Sequence, residues 1–353
     1  MTTTTPRFAL VGAGVIGKHH GMVMNQLADR LELVAVVDVD QSRAVQLAAE
    51  RGGRAYASLA DALANEDVDV VTVATPTGLH AVVAIEALEA GKHVVIEKPA
   101  EVTVGKTDEI IEAQGRAGTL VSVISQHRFD PATEVLLEAI EKGRLGRLTS
   151  GVAAIDWWRS QAYYDSGDWR GTWELDGGGA MMNQGVHTVD LLIAAMGRPV
   201  EVFAYTGAVA HERIETEDVA AAVVKFESGA LGVIHATTAA YPGLSASVHV
   251  HGDRGSLVLD DDQLSYVHLA DEEVNDDLGN QVGRYAETQA RSAAASRDPG
   301  QLSDAHRLQY LNILAALEGR EKLRVDLETN RRSVAVITGA YESARTGRPV
   351  VLS

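Results

Sequence analysis

The sequence predicts an α/β protein of two domains: a doubly wound parallel sheet, followed by an α+β domain built on an antiparallel sheet. Three observations predict it. Val- and Ile-rich runs alternate with helical segments through the first third of the chain, and after about residue 126 turn-rich alternation of apolar and polar residues takes over. In addition, 353 residues with 46% hydrophobic side chains exceed the ~100–200 residues of one domain. The first domain is expected over residues 1–125 and the second over 126–353.

Taken in order, residues 8–11 read as a strand, followed by a glycine cluster and a helix to about 30. Strands over 31–38, 67–74, 93–96 and 120–125 alternate with helices over 41–52, 79–91 and 104–117. These strands are nearly continuous in apolar residues, as parallel strands covered on both faces must be. Residues 129–142 read as a helix. Turns at Glu227-Ser228-Gly229 and Gly252-Asp253-Arg254-Gly255 mark hairpins, each placing Gly where a positive φ costs little. Residues 271–299 are polar and read as a connector. Helices over 303–317 and 327–345 close the chain, stopped by Gly319 and Gly347, and the closing helix is expected to return to the first domain.

Composition narrows the function. Thirty-one basic against 49 acidic residues give a net charge of −18, which opposes a polyphosphate partner and so disfavours nucleic acid. With no cysteine, thiolate nucleophiles, disulfides and Cys-held metals are excluded. The Thr-rich start lacks the features of a signal peptide and no run is long enough to span a bilayer, so a cytoplasmic protein without a membrane partner is expected. His249 and His251 alternate on one strand face but lack a third clustered ligand, and no metal site is assigned.

Gly12-Ala13-Gly14-Val15-Ile16-Gly17 follows the first strand directly and opens a helix, and Asp38 ends the second strand 38 − 17 = 21 positions later. A Gly-x-Gly-x-x-Gly turn alone is weak evidence. In this context, with an acidic residue close to the expected ~20 positions on, it is the fingerprint of a Rossmann dinucleotide site. Gly12 permits the tight turn, Gly14 close approach of main chain to a pyrophosphate, and Gly17 close packing of the helix. Asp38, followed by Val39 and Asp40, is suited to ribose hydroxyls and repels a 2′-phosphate, so the cofactor is expected to be NAD. Arg43 is close enough to qualify that preference.

Further along stand Glu97-Lys98-Pro99 at a strand end and Gly177-Gly178-Gly179-Ala180-Met181-Met182-Asn183-Gln184-Gly185-Val186-His187-Thr188-Val189-Asp190. With His20, Ala74-Thr75-Pro76 and His80, and the closing Ala340-Tyr341-Glu342-Ser343-Ala344, the chain resembles the glucose-fructose oxidoreductase, inositol dehydrogenase and rhizopine-catabolism (Gfo/Idh/MocA) family over nearly its whole length. The resemblance implies a Rossmann domain and a second domain with a large, open, mainly antiparallel sheet. It also implies NAD-dependent hydride transfer at a hydroxyl carbon of a sugar, glycoside or polyol, and a broad exposed sheet face in the second domain would invite assembly as a homodimer or homotetramer. Lys98 matches the family's site lysine. His187 matches its catalytic base, a role suited to an imidazole. Ala74, Thr75, Pro76, His80, Glu97, Lys98 and Gln126 are the further cofactor contacts it implies, together with the pair Trp169-Arg170.

The chain departs from the family at Asn183, where many members carry Asp four residues before the histidine. On a regular helix residue 183 shares a face with His187, but an amide is no base. Asp190 is the remaining nearby carboxylate, available to pair or cap. All four tryptophans fall within residues 157–173, and aromatic faces suit the C–H faces of sugars. Trp158, Arg159, Tyr164, Arg128 and Asn183 are accordingly the expected substrate contacts beside Lys98 and His187. The arginines point to an anionic sugar such as a uronate, a sulfonated sugar or a nucleotide sugar, although a chain with 49 acidic residues also offers salt-bridge partners. The alternative function is a redox-neutral, NAD-dependent glycosidase, in which hydride leaves the sugar and returns to it.

Overall fold

The computed structural model describes residues 5–269 and 299–353, and all of the connector expected over 271–299 but its last residue lies outside them. The described chain forms two compact units, residues 5–126 with 299–331 and residues 127–269 with 332–353.

In the first unit six parallel strands alternate with helices: β1 (Arg7–Val11), α1 (Val15–Gln26), β2 (Glu32–Val37), α2 (Gln41–Arg51), β3 (Arg54–Tyr56), α3 (Leu59–Asn65), β4 (Val70–Val73), α4 (His80–Glu89), β5 (His93–Ile96), α5 (Val104–Ala117) and β6 (Val121–Val123). The strand order is β3-β2-β1-β4-β5-β6, the doubly wound Rossmann arrangement. Apolar runs bury on both faces, so Phe8, Leu10, Val36, Val71, Val95 and Val123 are inaccessible. Local chemistry sets the helix ends. Asp40, Ser58 and Thr103 accept the amide hydrogens of Ser42, Asp61 and Lys106, and Gly118 ends α5 at φ 67°. The sequence reading omitted β3 and α3, because a three-residue strand shows no period of its own.

The second unit holds α6 (Pro131–Glu141), β7 (Leu148–Asp156), α7 (Gln161–Tyr164), α8 (Val186–Met196), β8 (Pro199–Gly207), β9 (Val219–Phe226), β10 (Leu231–Thr237), β11 (Ala246–Gly252), β12 (Ser256–Asp260) and β13 (Gln263–His268). After α9 (Pro299–Leu317), which belongs to the first unit, the division falls inside α10 (Leu327–Thr346), and β14 (Val350–Val351) completes the second sheet. Its eight strands run β13-β12-β11-β7-β10-β9-β8-β14. Among the described strands of this sheet, only β7 and β10 pair in parallel; the other pairs are antiparallel. One sheet face buries Ala153, Ile155, Val224 and Ile234 with Val189, Leu192 and Met196 of α8, and the alternation on β9 and β10 leaves Val223 and Val233 exposed on the other.

Candidate active site

In the first unit, Val11 pairs with Val37 and Val73, and Val73 with Ile96, so β1, β2, β4 and β5 end level. Their C-terminal ends carry Gly12, Asp38, Ala74 and Glu97 at the point where strand order reverses from β1 to β4. A parallel sheet places its ligand crevice there. Gly12 holds φ 102°, and a Cβ on it would lie 2.4 Å from Ala74 O; one on Gly17 would lie 1.9 Å from Gly12 O. These two glycines are required by backbone contact, whereas a Cβ on Gly14 would meet nothing within 4 Å. Gly14 is the N-cap of α1 without a side-chain cap, so the first amides of that helix face outward. Val15 and Val39 stand 89% and 96% exposed, apolar surface that a bound group would cover.

Asp38 accepts hydrogen bonds from Ala13 N (2.7 Å) and Asp40 N (2.8 Å), which tie the glycine turn to the acidic strand end. Arg43 is turned to Asp40 at 3.2 Å, a surface pair that leaves the acidic character of this edge in place. Thr75 Oγ1 and Gln126 Oε1 are buried and have no hydrogen-bond partner among the described residues. An open amide-lined turn, exposed valines, an acidic strand end and two orphaned oxygens fit a dinucleotide. Gly12–Gly17, Asp38, Val39, Ala74–Pro76 and Gln126 would hold it.

Two residues expected at the cofactor are instead built into the framework. His80 is 1% exposed, with its ring nitrogens 2.9 Å from Pro99 O and 3.0 Å from Thr75 O, so it ties the loop after β4 to the loop after β5. Glu97 is likewise buried. His20 Nε2 lies 2.8 Å from it and Lys98 N donates to it at 3.0 Å. Burial works to raise the Glu97 pKa, but His20 and His306 hold it well below the carboxylate range. The resulting buried anion fixes the main chain of Lys98, a half-buried residue. His20 continues this network through Tyr310 Oη, 2.9 Å from its Nδ1. Desolvation, with His306 and His20 nearby, lowers His19 to about 4.

In the second unit, His187 opens α8 and is half-buried. The preceding residues Ala180–Gln184 form a π-helical turn rather than the regular helix expected, so Asn183 and His187 belong to different helical segments. The triple glycine has a physical cause: Cβ atoms on Gly178 and Gly179 would lie 2.2 Å from Tyr341 Oη and 1.8 Å from Glu217 O. Glu217, 3% exposed, accepts from Gly179 N (3.0 Å), Met181 N (2.8 Å) and Tyr341 Oη (2.9 Å), pinning the turn. Its neighbour Asp218 accepts from Val209, Ala210 and His211 amides, while His211 Nε2 lies 2.8 Å from Arg159 O. The sequence reading missed both carboxylates, since nothing local marks them as anchors.

Arg159 Nη2 donates to Gln184 Oε1 (2.7 Å), and its guanidinium lies 5.0 Å over Trp157 and 5.5 Å over Tyr163. Arg170 covers the other ring contacts, 4.3 Å from Tyr163 and 4.4 Å from Trp169, and donates to Tyr163 Oη. Asn183 donates to Asp176, a buried carboxylate that also accepts from Gly171 N, and accepts from Gln184 Nε2. Trp158, half-buried, packs its ring on His211 and Tyr241. Arg159, Arg170, Asn183 and Gln184 therefore form one connected polar cluster.

Arg128 and Tyr164 are corrections. Arg128 donates through Nε (2.6 Å) and Nη2 (2.7 Å) to Asp190, which also accepts from Ser333, so this buried fork joins three segments of the framework. Asp190 is thereby a structural partner. Tyr164, expected as a substrate contact, is 5% exposed and its hydroxyl bonds Thr238 Oγ1 at 2.7 Å, with burial pushing its pKa up to about 12.

Comparison with known proteins agrees with this geometry. Residues 6–125 match the model of an oxidoreductase family with an NAD-binding Rossmann fold, and residues 133–258 match the GFO/IDH/MocA C-terminal domain. Myo-inositol 2-dehydrogenase of Thermotoga maritima is 29% identical over 292 residues, 79% of this chain and 81% of that protein. The 1,5-anhydro-D-fructose reductase of Ensifer adhaerens is 30% identical over 71% of this chain and 75% of its own. The WlbA dehydrogenase of Bordetella pertussis, solved with NADH and UDP-GlcNAcA, superposes with a TM-score of 0.86 at 34% identity, covering 99% of both chains.

Proposed function

The chain belongs to the Gfo/Idh/MocA oxidoreductases, and from that premise we propose that it oxidises a hydroxyl carbon of a sugar, glycoside or polyol, with an anionic or nucleotide-linked sugar as the preferred class. Bound NAD supplies the hydride acceptor. Lys98 hydrogen-bonds the reacting hydroxyl through its ammonium group. Its main chain is fixed by the buried Glu97 anion, which sets where the side chain leaves the backbone. His187 takes the hydroxyl proton as the carbon is oxidised, and Asn183 orients the sugar rather than relaying a proton. Trp158 and Arg159 bind the sugar, and Trp169-Arg170 is the pair assigned to the cofactor.

The observation that carries the substrate class is the connected cluster of Arg159, Arg170, Tyr163 and Gln184, with two guanidiniums stacked on one tyrosine in a chain of charge −18. Planar, stacked guanidiniums suit carboxylate and phosphate oxygens. The WlbA dehydrogenase, a relative over nearly its full length, was solved with such a ligand, which supports the same reading. Exposed Tyr205, Val223, Leu231 and Val233 on one sheet face support assembly as a homodimer or homotetramer. A cytoplasmic location accords with the absence of cysteine and with no described helix being long and apolar enough to cross a membrane.

A panel of uronates, nucleotide-linked uronates and neutral polyols tests the reading, with NADH formation as the signal. Accumulating NADH with the acidic sugars is the expected result. Activity confined to neutral polyols removes the anionic class, and product release without NADH removes net oxidation.

A further inference from the structure

The ring of His187 lies against a second histidine. His127, on the short turn Gln126–Phe129, meets it edge-on with centroids 5.0 Å apart and planes at 77°. Its Nδ1 faces two carboxylates, Asp130 Oδ2 at 2.7 Å and Asp262 Oδ1 at 3.2 Å. Asp130 holds the N-cap position of α6, yet its side chain caps no amide and turns to His127 instead. Asp262 lies in the two-residue turn joining β12 and β13, where Asp260 pairs with Gln263 and both central residues hold positive φ, 50° at Asp261 and 62° at Asp262. Turns of this kind favour Asn-Gly. Here two aspartates occupy it, and the conformation delivers one carboxylate to the imidazole.

From the elements packed around His127, the groups facing it among the described residues are Asp130 from α6, Asp262 from the hairpin turn and His187 from α8. Two carboxylates on the ring that lies against His187 would by themselves favour its protonated form, which accepts no proton. A cation between them offsets that pull. We propose that His127, an imidazolium clamped by Asp130 and Asp262, is a positioning residue that holds the His187 ring edge-on and keeps it unprotonated for the reaction. The inference rests on the reading of His187 as the base.

Burial favours the neutral form of His127, but the hydrogen bonds to Asp130 and Asp262 outweigh it and push the pKa up to about 9, so the cation persists through neutral pH. The sign for stability follows. A folded pKa raised above the ~6.5 of an unfolded chain contributes stability that is complete below ~6.5 and is lost as pH rises through the folded value.

The test is an NMR titration of imidazole nitrogens in the full chain, read beside the pH profile of kcat/KM. In the wild type, His127 is expected to remain protonated through neutral pH; a midpoint at or below ~6.5 overturns the proposal. His127→Phe keeps a ring against His187 without the charge, and should raise the His187 midpoint and the acid limb of kcat/KM together by about one pH unit. His127→Lys, which retains a cation, should return both towards the wild-type values. An unmoved midpoint in His127→Phe overturns the proposal. A midpoint that moves while the acid limb stays in place upholds the coupling of the two rings and removes His187 as the base.

Discussion

At the glycine turn of the first unit the candidate site is main chain, whereas the segment around Asn183 and His187 in the second is held by side chains from distant segments. Gly12, Gly14 and Gly17 act through what they lack, and their neighbours at the strand ends follow from the order of a parallel sheet. The second region depends on buried carboxylates. Glu217 pins the triple glycine, Asp218 the loop through His211, Asp176 the amide of Asn183 and Asp190 the fork of Arg128. A main-chain site needs only the right local conformation. A side-chain site needs every buried charge to be paired, and losing one partner leaves the other uncompensated.

Gly17→Ala sets a methyl group 1.9 Å from Gly12 O, and is expected to cost about 1–3 kcal/mol of stability as well as NAD binding. Gly14→Ala meets nothing in the protein, so its urea midpoint should stay within about 1 kcal/mol of wild type while NAD affinity falls roughly tenfold or more. Equal stability losses for both would show that the turn is a structural joint only. A smaller effect is expected at Asp38. Replacing it by Ala removes a charged acceptor at the strand end and should shift the NAD-to-NADP ratio of kcat/KM about tenfold towards NADP. An unchanged ratio would move the cofactor preference to other residues.

The same contrast explains how much of the molecule its sequence displayed. Alternating strands and helices, the glycine turn and the Asp38 spacing are local, and the first sheet followed from them. The hairpin turns of the second domain were equally legible, but the parallel pairing of β7 with β10 joins segments far apart in the chain and leaves no local signature. Arg128 and Tyr164 were misread for that reason. Their partners, Asp190 and Thr238, lie 62 and 74 residues away and turn two apparent sugar ligands into framework. Asn183 shows the reverse: the carboxylate missing from its own position is present nearby, seven residues earlier at Asp176. The π-helical turn altered the spacing to His187, where Glu217 accepts the amide of Gly179 and Tyr341 that of Met182, partners that no helical period encodes.

Lys98 and His187 are proposed to act on the hydroxyl that NAD oxidises. Turnover of Lys98→Met and His187→Ala on the best acidic sugar, with NAD affinity measured alongside, tests it most directly. Each variant is expected to bind NAD and to lose about 10²-fold or more in kcat. Near-normal kcat in either variant would contradict the claim for that residue.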